Sequence, residues 1–476
     1  MICGWRQAAV QLAAERDALR EKLALFEREL DQLKKRVLGR TTERLRSSRP
    51  DKPPAREKND AAAQEARQAT RSAFAALPTE TVDHTIDAAD KVCCPACGAD
   101  ALEPMPADIS EEIELVPARL VRRLHRRETA RCRSCEQFVR APAPTRVWDA
   151  ARYGPRMIAQ TIVEKCDDCM PLHRQESAWA RRGVPMARST LCDLFHRGAD
   201  LLEPIYAAML AEVPKAPVVA ADETSQKMQH VDKLGFVWTF STPEVTCYVH
   251  SPDRSGQTPE RVLGDSEGVL VVDGYTGYNV VCKPQRRVRA GCNAHARRKF
   301  FDIDSAEAKV IVDLFGTVFE VERKVRATGI EGTEAHLALR TGESKPAMEA
   351  ILAKCLELKD RVPPKSPLGA AIRYVENQWD PLTVFLGDVR VPPHNNQSER
   401  ELRLIALGRK NYLFVGHEEA GHRTAILMSL ITTCKRHDVN PTAYLADVLI
   451  RVQTHPQADV AELIPNRWKT RLAAAA

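Results

Sequence analysis

The chain has 476 residues, 44% of them hydrophobic and 28% charged, with few aromatics; this length suits about two to four domains, and the composition is that of a helix-rich protein with real cores. A formal net charge of only +6 excludes a bulk polycation, so an anionic partner has to be met by local clusters. No run of about 18 uninterrupted apolar residues exists and MICGWRQAAVQLAAERD lacks a signal-peptide core, so a cytoplasmic chain without a membrane span is expected, and its fourteen cysteines, several in CxxC pairs, read as metal ligands rather than a disulfide scaffold.

Residues 8–45 carry a heptad pattern. Leu12, Leu19, Phe26 and Leu33 recur every seventh residue, and Leu23, Leu30 and Val37 form a second row. This predicts a coiled coil for self-association, or a helix packed on its own domain; Arg16 breaks the seam and keeps it short. Residues 46–80, including SSRPDKPPAREKND, are nearly devoid of large apolar residues before Phe74 and predict a flexible linker. Within 88–142, Cys94 and Cys97 and then Cys132 and Cys135 form two CxxC knuckles. Two knuckles complete a tetrahedral structural zinc site, here a ribbon with a long hairpin, the alternative being four reduced thiols. Between Arg119 and Arg133 the arginines cluster, with Arg122, Arg123, Arg126 and Arg127 central. Such a footprint suits nucleic-acid phosphates or a solvated charged strand.

Residues 150–212 are predicted helical, and the turn Gly183-Val184-Pro185-Met186 gives them the length of a helix-turn-helix. Cys166 and Cys169 fall at helical spacing and read as plain thiols rather than a second zinc site. The texture changes at 217. APVVAADET puts Asp222 at the end of a short apolar strand; KLGFVWTFST and VTCYVHS predict two more strands joined around Pro243; TPERVLGDS is a short helix; GVLVVDGYTGYN puts Asp273 at the end of another strand. RRVRAGCNAHARRKF adds a strand-like run ending at Cys292 and His295, then a basic helix. Three antiparallel strands followed by alternating strand and helix predict a ribonuclease H-like mixed α/β core over 215–425. An all-helical insertion over about 303–390 interrupts it, and further helices over 426–470 follow. The fold class is thus multidomain α+β.

Two strand-end aspartates are not needed for packing and cost desolvation energy. They can share one hard cation, and a third carboxylate admits a second, the arrangement that cleaves phosphodiesters. Glu399 is the natural third ligand. It follows Pro392-Pro393-His394-Asn395-Asn396 in the first turn of a helix for which Asn395, Asn396 and Ser398 offer N-caps. Magnesium, or manganese, suits such oxygen ligands. Arg400, Arg403, Arg409 and Lys410 lie around Glu399 and would hold DNA phosphates.

Together these stretches resemble the transposases of the insertion sequence 66 family. The resemblance rests on LVPARL with the two CxxC pairs, PLHRQESAWARRGV, RSTLCDL, ADET, VVDGYTGYN, CNAHARRKF, NNQSERELR, ALGRKNYLF and NPTAYLADVL, which span nearly the whole chain in order. It implies a DDE-type enzyme with Asp222, Asp273 and Glu399 as the triad, binding transposon terminal inverted repeats and performing metal-dependent strand cleavage and strand transfer on bacterial DNA. It further implies structural zinc, self-association through the zipper and accessory proteins of the same element. Cys292 and His295 match a C-x-x-H signature of DDE enzymes with a helical insertion, and His295 either approaches the scissile phosphate or buttresses its helix. One departure stands out: His394 replaces the usual Asp of an Asp-Asn-Asn run. Two other readings stay open, a catalytically impaired transposase-derived DNA-binding protein and a structure-specific nuclease on the same fold.

Overall fold

A computed structural model describes residues 144–149, 151–229 and 234–475, two short strands at 129–131 and 138–140, and the single positions 68, 72, 122 and 125. The zipper, the linker, Cys94, Cys97, Cys132, Cys135, Arg123, Arg126 and Arg127 lie outside the described residues. The chain divides into Met1–Leu124 and His125–Ala476; Arg122, in the first, is exposed, and everything below concerns the second.

β1 (Thr129–Arg131) and β2 (Phe138–Arg140) pair antiparallel. Three helices follow: α1 (Pro155–Cys166), α2 (Leu172–Arg181) and α3 (Arg188–Glu212). The GVPM turn falls between α2 and α3. α1 ends at Cys166, so Cys169 sits in the following turn rather than in the helix, at φ 52°. Both thiols are buried and free.

The sheet has five strands: β3 (Val218–Lys227), β4 (Leu234–Ser241), β5 (Thr246–Ser251), β6 (Gly268–Val271) and β7 (Arg287–Ala290). Their order is β5-β4-β3-β6-β7. β3, β4 and β5 run antiparallel, whereas β6 and β7 join parallel to β3. The mixed sheet expected from the sequence is therefore present. α4 (Gln257–Leu263) connects β5 to β6.

One expectation needs correction. Asp222 is not at the end of a short strand, because β3 runs on to Lys227 against β4. The parallel ladder with β6 does stop at Ala220, opposite Val271. Asp222 thus lies two residues past the end of the parallel pairing, and so does Asp273. The run DETSQK is polar because β3 has only one partner strand there.

The stretch after β7 is helical: α5 (Asn293–Phe301) leads into α6 (Ala306–Thr328), α7 (Glu334–Leu339), a π-turn over Arg340–Ser344, α8 (Lys345–Lys359), α9 (Pro367–Asn377) and α10 (Trp379–Thr383). Local chemistry sets its boundaries. Ser305 caps α6 by accepting the Ala308 amide at 3.1 Å, and Gly329 ends it at φ 68°, a left-handed conformation that glycine adopts without Cβ strain. α11 (Asn396–Tyr412), α12 (Glu418–Arg436), α13 (Pro441–Arg451) and α14 (Pro465–Ala475) complete the chain.

Strand alternation divides the core. Val219, Ala221, Leu270 and Val272 join a large cluster with α1, α3, α12 and α13. Ala220, Val271 and Ala290 join a second cluster built from Phe300 of α5 and from Ile311, Phe315, Val318, Met348, Ile351 and Ile372 of the insertion. The stretches 150–212 and 426–470 thus share the first cluster with the sheet. α12 also covers the β5 edge. Ser429 Oγ and Thr433 Oγ1, one turn apart, accept the Tyr248 and Thr246 amides at 2.8 and 3.1 Å. An open edge would offer those amides to another strand.

Candidate active site

The alternation places the acids. Ala220 and Val271 face the insertion side, so Asp222 and Asp273, two residues on in each case, share that face. Both sit just past the carboxyl end of the β3–β6 parallel ladder, where open α/β sheets form their crevices. Asp222 Oδ1 accepts the amide of Glu223 at 2.9 Å, and Asp273 Oδ1 accepts that of Tyr275 at 2.8 Å. Burial first, then the negative charges of Glu223, Asp273 and Glu399, push the Asp222 carboxyl up to about 7, against a lowering by the Glu223 amide. Arg289 fastens the Asp273 loop, donating to the carbonyls of Asp273 and Tyr275 and to Asn279 Oδ1.

Glu223 faces the other way and has a different fate. Its carboxylate accepts the Tyr278 hydroxyl at 2.5 Å and Arg254 Nε at 2.8 Å. The Arg254 guanidinium lies over the Tyr275 ring, 4.0 Å from its centroid. This is a closed ion pair with no free ligand atom, which marks Asp222 as the open acid of the neighbouring pair.

α11 lies along β3 on the Asp222 face. Asn395, at its N-cap position, does not cap it as expected. Instead its Nδ2 donates to the Ala221 carbonyl at 2.7 Å, and its amide donates to Cys292 Sγ at 3.2 Å. Ser398 is buried and does not cap either; its Oγ has no partner. At the far end Arg409 donates to the Ser225 carbonyl. Asn395 and Arg409 therefore clasp β3 on either side of Asp222. This leaves Arg400, Arg403 and Lys410 as the exposed cations of the helix.

Two acids on α11 differ in the same way as the two on β3. Glu401 is buried and accepts Thr246 Oγ1 at 2.9 Å and the Ser241 hydroxyl, with Arg436 at 3.7 Å. Glu399 Oε1 is shielded from solvent and has no hydrogen-bond partner. His295 Nδ1 stands 3.6 Å from it. Among the described residues, Cys292, His295 and Glu399 are the trio of potential metal ligands whose donor atoms all lie within 4.8 Å of one another. Asp273 and Glu399 both act on the Asp222 carboxyl electrostatically, but the three carboxylates are not drawn together that closely among the described residues.

His394 packs its ring against Phe319 of α6, centroids 6.0 Å apart. Burial lowers its pKa. The position that breaks the expected Asp-Asn-Asn run is thus a contact with the insertion. Sequence reasoning missed the roles of Asn395, Cys292 and Tyr374. Tyr374 of α9 leans on Gly274, where an added Cβ would meet its ring at 2.9 Å, and burial followed by the Asp273 charge pushes its hydroxyl up to about 12. No local signal separates such a tyrosine from an ordinary core residue.

Comparison with known proteins agrees with this architecture. The family described as Transposase IS66 family matches residues 150–423, the IS66 C-terminal element matches 429–466, and the zinc-finger binding domain of transposase IS66 matches 92–136, the stretch that holds all four knuckle cysteines. Similar proteins occur in Sinorhizobium fredii (strain NBRC 101917 / NGR234). The uncharacterized protein y4jD is 34% identical over 414 residues, covering 81% of this chain and 80% of its own. The uncharacterized protein y4hP is 31% identical over 412 residues, covering 80% and 74%. With the profile covering more than half its length, the chain belongs to the IS66 family of transposases and carries that family's zinc-finger domain.

Proposed function

We propose that the chain is a DDE transposase with a ribonuclease H-like catalytic core, in which Asp222, Asp273 and Glu399 hold divalent cations. The observation that supports this best is the equivalent offset of Asp222 and Asp273 from the end of one parallel ladder, on the face to which the unpartnered Glu399 is clasped. The donor set fits a hard cation, being all carboxylate oxygen, and magnesium or manganese suits it. The burial and the neighbouring charges that raise the Asp222 carboxyl are penalties a bound cation relieves.

A cation held there supplies charge stabilisation to the phosphodiester and lowers the pKa of a bound water. Asp222, Asp273 and Glu399 would hold the cations between them. His295 orients the Glu399 carboxylate from the side. The exposed Arg400, Arg403 and Lys410 hold flanking DNA phosphates, a contact weakened by salt. The reaction is cleavage at each transposon end to leave a 3′-hydroxyl, which then attacks a target phosphodiester. The zinc ribbon, with Arg122, Arg123, Arg126 and Arg127, holds the terminal inverted repeats, and the zipper pairs two copies.

The test is Asp273→Asn in the full chain with end DNA and magnesium. Cleavage should fall by at least about a hundredfold while end binding persists, since removal of a transition-state charge contact costs roughly 3–4 kcal/mol. Cleavage at the wild-type rate would sink the assignment. A strand-transfer assay on the same protein separates a transposase, which joins ends, from a nuclease, which only cuts.

A further inference from the structure

Cys292 occupies the N-cap position of α5, and His295 is one turn further along the same helix. Cys292 is fully buried. Its Sγ accepts the Asn395 amide at 3.2 Å, and the amides of Ala294 and His295 also lie against it. Burial pushes the thiol up to about 11 against the lowering by these amides, and a coordinated cation deprotonates such a thiol outright. Across from it, His295 Nδ1 and Glu399 Oε1 are both shut off from solvent and lack hydrogen-bond partners. A buried polar atom without a partner is costly, and two facing each other beside a thiol call for a shared ligand.

The donor chemistry decides which ligand. One sulfur, one imidazole nitrogen and one carboxylate oxygen do not suit magnesium, but they are the mixture zinc accepts. Zinc bonds of about 2.0–2.3 Å place tetrahedral ligand atoms roughly 3.3–3.8 Å apart. The His295–Glu399 pair already stands at 3.6 Å, and the whole trio lies within 4.8 Å, so small side-chain shifts complete the site.

We propose that Cys292, His295 and Glu399 form a site for a soft divalent cation of the zinc type, distinct from the ribbon and sharing only Glu399 with the hard-cation site. When it is filled, Glu399 is withdrawn from Asp222 and Asp273, so zinc acts against magnesium at the same carboxylate. This inhibitory consequence rests on the reading of Glu399 as a catalytic ligand; binding itself does not.

The experiment uses the full chain dialysed against buffered free zinc, with metal content measured per chain. Wild type should hold one equivalent more than Cys292→Ser and than His295→Ala, the second variant guarding against a folding defect in the first. Loss of an outer-shell partner already weakens metal sites by about 10–100-fold, so loss of a direct ligand should weaken this one at least as much. Cobalt in place of zinc should add a thiolate charge-transfer band in wild type that Cys292→Ser lacks. Asp222→Asn should retain the extra equivalent. Added zinc should also suppress magnesium-dependent end cleavage by at least about tenfold in wild type, with a smaller ratio in Cys292→Ser. Equal zinc content in wild type, Cys292→Ser and His295→Ala overturns the site. If instead Asp222→Asn and Glu399→Gln cleave like wild type, the catalytic reading falls while the metal count still stands.

Discussion

Replacing Asn395 with alanine separates positioning from chemistry. Its Nδ2 is a buried donor to the Ala221 carbonyl at 2.7 Å, immediately before Asp222, and its main chain opens the helix that carries Glu399. Alanine removes the donor and leaves that carbonyl unsatisfied, a loss of about 1–3 kcal/mol. For a large domain this corresponds to a Tm decrease of roughly 2–4 °C per kcal/mol. The effect on the proposed reaction should be larger. Without the clasp, the first turn of α11 is free to slide on β3, and a displacement of about 1 Å at a reacting site can lower the rate about a hundredfold. Single-turnover cleavage of end DNA, measured well below Tm, should therefore fall far more than end binding. Asn395→Asp should behave alike, because a carboxylate cannot donate to a carbonyl. Asn396→Ala is the control, since Asn396 is exposed beside it and should change neither quantity. Wild-type cleavage by Asn395→Ala would refute the claim that this contact sets the position of Glu399.

Three further outcomes follow from the buried polar groups. Glu399→Gln should abolish cleavage without lowering Tm, because the buried Glu399 Oε1 has no hydrogen bond to lose. Glu401→Ala should do the reverse: it removes the buried acceptor of the Ser241 and Thr246 hydroxyls and the carboxylate facing Arg436, costing up to about 3–5 kcal/mol, yet the surviving folded protein should cleave, and equal thermal melts for the two variants would contradict this. His250 is buried, with both ring nitrogens unpartnered, and burial followed by His422 lowers its pKa to about 4. Stability associated with its neutral form is therefore complete above about pH 6.5, where the unfolded histidine is also neutral, and declines as pH falls toward 4, by up to about 3 kcal/mol. Denaturant midpoints at pH 7.5 and 5 should show this loss in wild type and a smaller one in His250→Gln.

Much of the fold could be read locally. Ser305, Gly329, Ser366 and Asn440 mark helix ends by chemistry that acts over three or four residues, and each acts as that chemistry requires. Apolar runs located the strands, and the acids following them located Asp222 and Asp273. The extent of β3 was not legible, because DETSQK pairs on one side only and has no apolar signature. Asn395 was misread for a related reason. A helix-capping asparagine and one that reaches another strand have the same local sequence, and the acceptor, Ala221, is 174 residues away. The contrast between Glu399 and Glu401 was equally hidden, since the hydroxyls that claim Glu401 come from β4 and β5.

The helical insertion explains why this polar scaffolding exists. Arg340, at the π-turn, is 1% exposed and grips Glu322 through Nε and Nη2 at 2.8 and 2.9 Å. Its Nη1 donates to the carbonyls of Phe385, Asp388 and Val391 at 2.6, 3.0 and 3.1 Å. Asn293 of α5 donates to the carbonyls of Leu382 and Pro393, each at 3.1 Å. The segment leading to Glu399 is thus held by side-chain donors from α5 and the insertion, and the helix that follows is held by Asn395 on β3. Apolar packing is non-directional and tolerates small sliding, whereas hydrogen bonds fix distance and angle. A buried arginine adds little net stability once its desolvation is counted. What it contributes here is register: an acid more than a hundred residues after Asp273 arrives on the helix packed along β3 because the residues between them end in a frame of satisfied carbonyls.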